Sequence, residues 1–516
     1  MEPGMEVYAR RLVRGSAVVF TCGVVAAFVA FLLRMFLARE LTVEEYGLFY
    51  ALLTLVSFFT LFRDLGLNSA LVKFLPEFRA KGEKRALRSS LSLVALLQTL
   101  PSLLLLSLLF LLSGWFSSSF FRNPAALLPL RILLLWFFFN TFYQLFRAAF
   151  QGLQDMLAYS LADLLWILLI LLLSLVTVGV LGRGVEGVAL AYLLSTCLVA
   201  GMELGYLRLR YPEVLGRPEG GREEAGRLLS FALPVLVGGL GGLVLGYTDT
   251  LMLTVFKGAG EVGLYQAAQP LAGLLGYFVG ALTVVLFPMV SEMWAEGRRK
   301  EVAGALSLLL KFSLAAVLPL ALVLLAFPEV AVRLVFGQGY LGGVDALRIL
   351  SCNAVVYTLF AILGVAVAGV GRPFLATKAV VFTAVFNFLF NLLLIPPFGA
   401  AGAALTTLLS TVLGVLLLLR YSQGTLGLSL SPGPLLKMVV GGILTLLLIS
   451  WLKWILRLPP WPEAFVVLIP SLLIYGLWLL VTSSITRGEL EFLIRIFPLF
   501  GRRKTKGINR RWEKGR

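Results

Sequence analysis

The stretch from Gly182 to Ser195, GRGVEGVALAYLLS, returns from Pro397 to Ser410 as PFGAAGAALTTLLS. Glycine meets glycine and serine meets serine at one offset, 402 − 187 = 215 and 410 − 195 = 215. Working outward, Leu130-Arg131-Ile132-Leu133 matches Leu347-Arg348-Ile349-Leu350 (348 − 131 = 217), Pro101 matches Pro319 (218), and Gly47 in EEYGLFYA matches Gly263 in GEVGLYQA (216). A shift held so closely along the chain marks an internal duplication. Because the duplicated unit is apolar, it implies two similar helical bundles side by side in a bilayer, the architecture of a secondary transporter whose path lies between its halves.

Composition agrees. Of 516 residues, 59% are hydrophobic and only 14% charged, and the mean hydropathy is +0.94, far from globular averages. A membrane helix needs about 20 mostly apolar residues. About 14 such stretches are expected, near 14–38, 46–74, 87–113, 125–150, 157–181, 185–207, 229–256, 262–291, 302–327, 346–370, 374–395, 400–420, 434–456 and 463–482. Runs such as PSLLLLSLLFLLSG (101–114) lack the alternation of a β-barrel strand. The fold class expected is therefore all-α and polytopic, with two parallel six-helix repeats and two extra C-terminal helices. Six crossings per repeat return the chain to its starting side, so the repeats are parallel and not inverted.

The division along the chain follows: a six-helix lobe over 1–212, a Gly/Pro/charge-rich linker over 213–226, a second six-helix lobe over 227–421, two added helices over 434–482 and a basic tail over 483–516. The tail reads as an interfacial helix with a polybasic end, or as a disordered segment. Basic residues set the orientation. With a cytoplasmic N-terminus, Arg79, Lys81, Lys84, Arg85, Arg298, Arg299 and Lys300 fall inside, as does the tail. The opposite loops hold few basic residues, such as Arg39, Arg122 and Arg183. Both termini are then cytoplasmic. The formal net charge of +17 is explained by such loops and anionic headgroups, without a nucleic-acid partner.

Enzymatic chemistry finds little footing. The chain has no histidine, the commonest general base, and no GxxxxGK[ST] loop for nucleotide phosphates. Its outward loops are too short for a catalytic domain. Cys22, Cys197 and Cys352 fall inside expected helices without ligand spacing and read as packing residues, so neither a metal site nor a cofactor is expected.

Ionisable residues at membrane depth cost about 2.5 to 3.5 kcal/mol on insertion scales and face protein or wet cavities. Arg63 and Asp64 lie well inside the second stretch, about 100° apart on a helix, and Asn68 extends the polar stripe of Asp64 by one turn. Arg34 near the outer end of the first helix and Asp249 in the seventh enter the cleft from corresponding helices, unless Arg34 snorkels to headgroups. Asp64 and Asp249 are the candidates for charge partnership or ion coupling. Arg147 with Gln151, Asp163, Lys311 and Lys378 read as interface anchors, and Asn387 with Asn391 as an interhelical hydrogen-bonding pair.

FLLRMFLARELTVEEYGLFYALLTL (31–55), RDLGLNSALVKFLPE (63–77), TDTLMLTVFKGAGEVGLYQAAQPL (248–271) and RLVFGQGYLGGVDALRIL (333–350) together resemble the polysaccharide transporters of the multidrug/oligosaccharidyl-lipid/polysaccharide flippase superfamily, over about residues 10–420. The resemblance implies a flippase that moves a polyprenyl pyrophosphate-linked oligosaccharide across the cytoplasmic membrane by alternating access, for cell-surface glycan assembly. Its implied partners are that lipid, membrane lipids, H+ or Na+, and glycan-assembly proteins. It implies Arg34 and Arg63 as anion contacts, with Asn68 and Gln269 beside them as substrate-binding residues. Gln269 stands where the related lipid II flippases would have an arginine, which weakens lipid II as cargo. An ion-coupled exporter of drugs or organic cations is the other alternative, kept open by Asp64 and Asp249.

Overall fold

The computed structural model describes residues 3–215, 222–426, 432–456 and 459–484. Residues 216–221 of the expected linker and 485–516 of the basic tail lie outside them. Every α, 3-10 or π element among the described residues is helical. The α-helices, in chain order, are α1 (Pro3–Glu40), α2 (Val43–Phe58), α3 (Thr60–Asp64), α4 (Leu67–Lys81), α5 (Lys84–Trp115), α6 (Leu127–Gly152), α7 (Met156–Ser174), α8 (Gly184–Arg210), α9 (Arg222–Lys257), α10 (Ala259–Ala295), α11 (Arg299–Ala326), α12 (Pro328–Val335), α13 (Val344–Gly369), α14 (Pro373–Leu426), α15 (Pro432–Leu456) and α16 (Pro460–Val481).

Eleven helical stretches among the described residues are long and apolar enough to cross a membrane. One is longer than a single crossing permits. α14 runs 54 residues, about 80 Å at 1.5 Å per residue, against a hydrocarbon core of about 30 Å. At Gly399 its backbone leaves helical geometry (φ 55°, ψ −131°), so two helices are joined there, where the sequence separates 374–395 from 400–420. The outward faces are apolar: Leu104 is 71% exposed and Leu111 83%, a surface that lipid, not water, would cover. The chain is a multi-pass membrane protein.

The expectation of one continuous helix over 46–74 is corrected. The chain is interrupted at Phe59 and again at Leu65 and Gly66, both left-handed (φ 52° and 78°). Glycine at 66 has a packing reason as well as a conformational one. A Cβ there would overlap the carbonyl oxygen of Ala232 on α9. The break therefore lets the first half's second crossing lie backbone to backbone on the second half's first.

Equivalent residues of the duplicated sequence make equivalent contacts. Thr42 caps α2, its hydroxyl accepting from the Glu45 amide at 3.2 Å while the Glu45 carboxylate accepts from the Thr42 amide at 2.9 Å. The Glu45 carboxylate stands against Gly184, where α8 begins with φ 51°. Glu261, 216 residues on, stands against Gly399 and accepts from the Ala400 amide at 2.7 Å. Gly47 and Gly263 meet across the α2–α10 crossing: a Cβ on Gly47 would overlap the Ala259 carbonyl and stand 2.5 Å from the Gly263 amide nitrogen, and one on Gly263 would overlap the Val43 carbonyl.

α2 is the hub. It packs on α6 and α8 and also on α9 and α10, and residues 46–52 are all buried. Tyr46, Tyr50, Phe336 and Tyr340 form an aromatic cluster beside the Gly47–Gly263 crossing, and Arg39 donates to the Leu334 carbonyl at 2.9 Å nearby. At the other end of the α2–α4 run, Phe74 packs edge-on to Phe231, Lys73 lies 4.2 Å from that ring's centre and Arg227 pairs with Glu83 at 3.6 Å. The halves thus touch at both ends, and a cavity remains between.

Candidate functional site

That cavity holds about 300 Å³. α1 brings Arg34, α2 Tyr50 and Thr54, α8 Tyr192, α9 Tyr247, and α10 Gln266 and Gln269. Both halves contribute at matched positions, since Tyr50 and Gln266 differ by 216, as do Leu53 and Gln269, and all four line the wall.

Arg34 is half-buried and points along α10, donating to the Gln266 carbonyl at 3.2 Å and its amide oxygen at 3.4 Å. Its guanidinium lies 4.4 Å from the Tyr50 ring centre, a cation–π contact that holds the plane. No carboxylate pairs with Arg34 among the described residues. Surrounded by hydroxyls and amides, an arginine so placed keeps its positive field for an anion, and its planar fork suits a phosphate.

Asp249 on α9 does not face this cavity. It is 5% exposed and accepts from Tyr265 at 2.8 Å, Asn391 at 2.7 Å and Thr407 at 2.5 Å. Asn391 also donates to Asn387 at 3.1 Å. All its donors are neutral. One residue along each helix, Gln266 donates to Thr250 at 2.9 Å. Two consecutive rungs, Asp249–Tyr265 and Thr250–Gln266, therefore join α9 to α10, one set inside the second half and the other ending on the residue that holds Arg34.

The remaining expected site residues lie elsewhere. Arg63 is 4% exposed, donates to the Phe137 carbonyl and to Thr141 at 2.8 Å, and covers the Phe137 ring at 4.7 Å. It ties α3 to α6 and is not among the cavity walls. Asp64 and Asn68 meet at the α3–α4 break, where Gln98 of α5 donates to Asp64 at 2.8 Å and to Asn68 at 3.2 Å. Arg34 and Gln269 are thus brought together, whereas Arg63, the Asp64–Asn68 pair and Asp249 occupy three separate settings. Tyr50 and Tyr192 escaped the sequence reading, because nothing distinguishes them from membrane-interface tyrosines until the halves are docked. Asn387 and Asn391 do hydrogen-bond to each other, and Asn391 also donates to Asp249.

This is the fold of a helical membrane transporter with a polar chamber between two bundles. Solved structures with it include the lipid II flippase MurJ in an inward closed conformation (TM-score 0.72, 16% identity, 93% of this chain and 100% of that one). An inward-facing multidrug resistance MATE transporter of the MOP superfamily also matches (TM-score 0.67, 16% identity, 78% and 94%). Residues 12–294 match the family described as Polysaccharide biosynthesis protein, and the chain belongs to that family. Among its relatives, an uncharacterized membrane protein of Methanocaldococcus jannaschii is 30% identical over 78% of this chain and 82% of its own. The probable low-salt glycan biosynthesis flippase Agl15 of Haloferax volcanii is 24% identical over 95% of this chain and all of its own. The relatives with an assigned role are flippases and transporters, in agreement with a transport protein and not an enzyme.

Proposed function

We propose that this chain moves a polyprenyl pyrophosphate-linked oligosaccharide across the cytoplasmic membrane by alternating access between two six-helix lobes, 1–212 and 227–421. The carrying observation is Arg34, a cation without a carboxylate partner in a chamber otherwise walled by hydroxyl, amide and apolar groups. A pyrophosphate crossing an apolar slab needs such a contact, while the polyprenyl tail stays in lipid. The relative in Haloferax volcanii described as a probable low-salt glycan biosynthesis flippase supports a flippase role in glycan biosynthesis. Fourteen crossings with both termini cytoplasmic, as the basic loops favour, complete the reading. Glycan-assembly proteins are its expected partners.

Asp249 is assigned to coupling with H+ or Na+. A buried carboxylate served by neutral donors can take a proton, and with the Thr407 hydroxyl and the Asn387 amide oxygen close by it offers hard oxygen donors of the kind a small cation requires. The rungs to Tyr265 and Gln266 give that event a route to Arg34. Cation export is the second reading, favoured by Asp249 itself. Arg34 argues against it, since an unpaired guanidinium in the chamber repels a cationic cargo. Lipid II is disfavoured by Gln269, which supplies no second charge.

The test is equilibrium binding by the full-length protein in nanodiscs. Polyprenyl pyrophosphate should bind, and Arg34→Ala should weaken it at least tenfold, the loss of a charged hydrogen-bonding group of about 1.5 to 3 kcal/mol. Equal affinity for wild type and variant would reject Arg34 as the anion contact.

A further inference from the structure

A second cavity, also about 300 Å³, opens within the first half between α4, α6 and α7. Its polar lining is Asn68, Ser69, Gln144, Arg147, Gln151 and Tyr159. Gln144, Arg147 and Gln151 lie at i, i+3 and i+7 on α6 and so share one helix face. It lies toward the end of α6 that the basic-loop orientation assigns to the cytoplasm.

Its electrostatics are opposite to those of the central chamber. Arg147 is paired with Asp163, which also accepts from the Tyr143 hydroxyl at 2.8 Å. The guanidinium donates to Gln144 at 3.2 Å and stacks over Tyr159 at 4.6 Å from the ring centre. The cation is therefore neutralised and fixed in orientation. An anion gains little here, because Asp163 repels it as Arg147 attracts it.

Hydrogen-bonding capacity, in contrast, is left over. The side chains of Gln151 and Ser69 and the Tyr159 hydroxyl have no hydrogen bond to the protein among the described residues. The side-chain nitrogens of Asn68 and Gln144 donate to no protein group there, while their oxygens accept from Gln98 and Arg147. Amides and hydroxyls that both donate and accept, beside a flat aromatic face and a held guanidinium plane, match a ligand whose hydroxyls also do both. Were these groups present only to bind helices together, they would be spent on one another.

We propose that this cavity is a carbohydrate subsite that receives a neutral sugar ring of the lipid-linked glycan on the cytoplasmic side, separate from the pyrophosphate contact at Arg34. This rests on the flippase reading above and deepens it. The pyrophosphate supplies charge-driven affinity common to every such lipid, and the second cavity supplies selectivity for the glycan. Its volume is near the lower bound of small-molecule pockets, about 300 Å³, which suits part of a glycan and not the whole.

The test compares two ligands on the full-length protein in nanodiscs: polyprenyl pyrophosphate bearing a neutral disaccharide, and the same polyprenyl pyrophosphate without sugar. Gln151→Ala removes an exposed side chain that bonds to nothing in the protein, so the fold is not at risk, and Gln144→Leu with Gln151→Leu removes more of the wall. The single change should weaken the glycosylated lipid about threefold and the double change about tenfold, one to two neutral hydrogen bonds' worth. The bare lipid should bind every variant as it binds wild type, and Arg34→Ala should weaken both ligands. Equal weakening of both lipids by the glutamine variants, or weakening of neither, overturns the subsite and leaves the flippase reading standing. A wild-type protein that binds neither lipid overturns both.

Discussion

Adding one methyl group at Gly47 should push the two halves apart. Its Cβ would overlap the Ala259 carbonyl and stand 2.5 Å from the Gly263 nitrogen, where ordinary van der Waals contact begins at 3.4 Å. The neighbours here are backbone, not the yielding tip of a side chain, so α2 and α10 must separate by at least 3.4 − 2.5 = 0.9 Å. Overpacking of this kind costs about 1 to 3 kcal/mol. Charged to the closed state alone, about 2 kcal/mol shifts the closed-to-open ratio roughly 30-fold. Gly47→Ala should therefore favour opening at this end, the proposed outer one. Spin labels belong at Glu44 and Lys257, both exposed and next to the crossing, because labels at Gly47 or Gly263 would break the contact they report. Gly260→Ala is the control, since nothing lies within 4 Å of a Cβ there. A Gly47→Ala protein with wild-type thermal stability and an unchanged distance distribution would refute the argument that this glycine pair sets the closed state.

Other outcomes follow from the same contacts. Arg63→Ala should lower the melting temperature in detergent by removing the bonds from α3 to Phe137 and Thr141, about 2 kcal/mol or more, with partial rescue by lysine, which lacks the fork; unchanged stability with lost transport would make Arg63 a substrate contact instead. Asp249→Asn should abolish the dependence of transport on a proton or sodium gradient while lipid binding stays within about threefold, below 1 kcal/mol; a variant that keeps gradient dependence removes Asp249 from coupling. On the exposed face of α4, the hydrogen bond from Lys81 holds the Glu77 carboxyl below its ordinary range. A depressed carboxylate stabilises the fold above its unfolded pKa and loses that effect as pH falls through the folded one. Glu77→Gln should therefore leave neutral-pH stability nearly unchanged, as an exposed pair of this kind implies, and flatten only the acidic limb of a melting-temperature profile. A large loss at neutral pH would contradict this.

The duplication was legible because both copies keep their glycines at backbone crossings, where no side chain substitutes, so Gly47, Gly263, Gly187 and Gly402 survive as markers. The break at Leu65–Gly66 was not, since an αL leucine has no sequence signature and the packing reason for Gly66 is Ala232, 166 residues later. Arg34 was pointed to by its place on the first helix and Gln269 by the resemblance, and both line the central chamber; helix correspondence also pointed to Asp249, which faces away from it. Arg63 illustrates the limit of that reasoning. Depth in the membrane says that a charge must be satisfied, but not whether substrate or a neighbouring helix satisfies it, and its partners lie 74 and 78 residues away. The setting of Asp249 likewise needs Asn391 and Thr407 from a distant helix pair.

The most direct measurement is translocation in proteoliposomes containing the full-length protein, with a disaccharide-bearing polyprenyl pyrophosphate and a cationic dye followed side by side. The account predicts that the glycolipid reaches the far leaflet faster than in protein-free vesicles, that Arg34→Ala abolishes the gain, and that the dye does not move. Dye transport that is insensitive to Arg34→Ala, with the glycolipid held in its original leaflet, would contradict it.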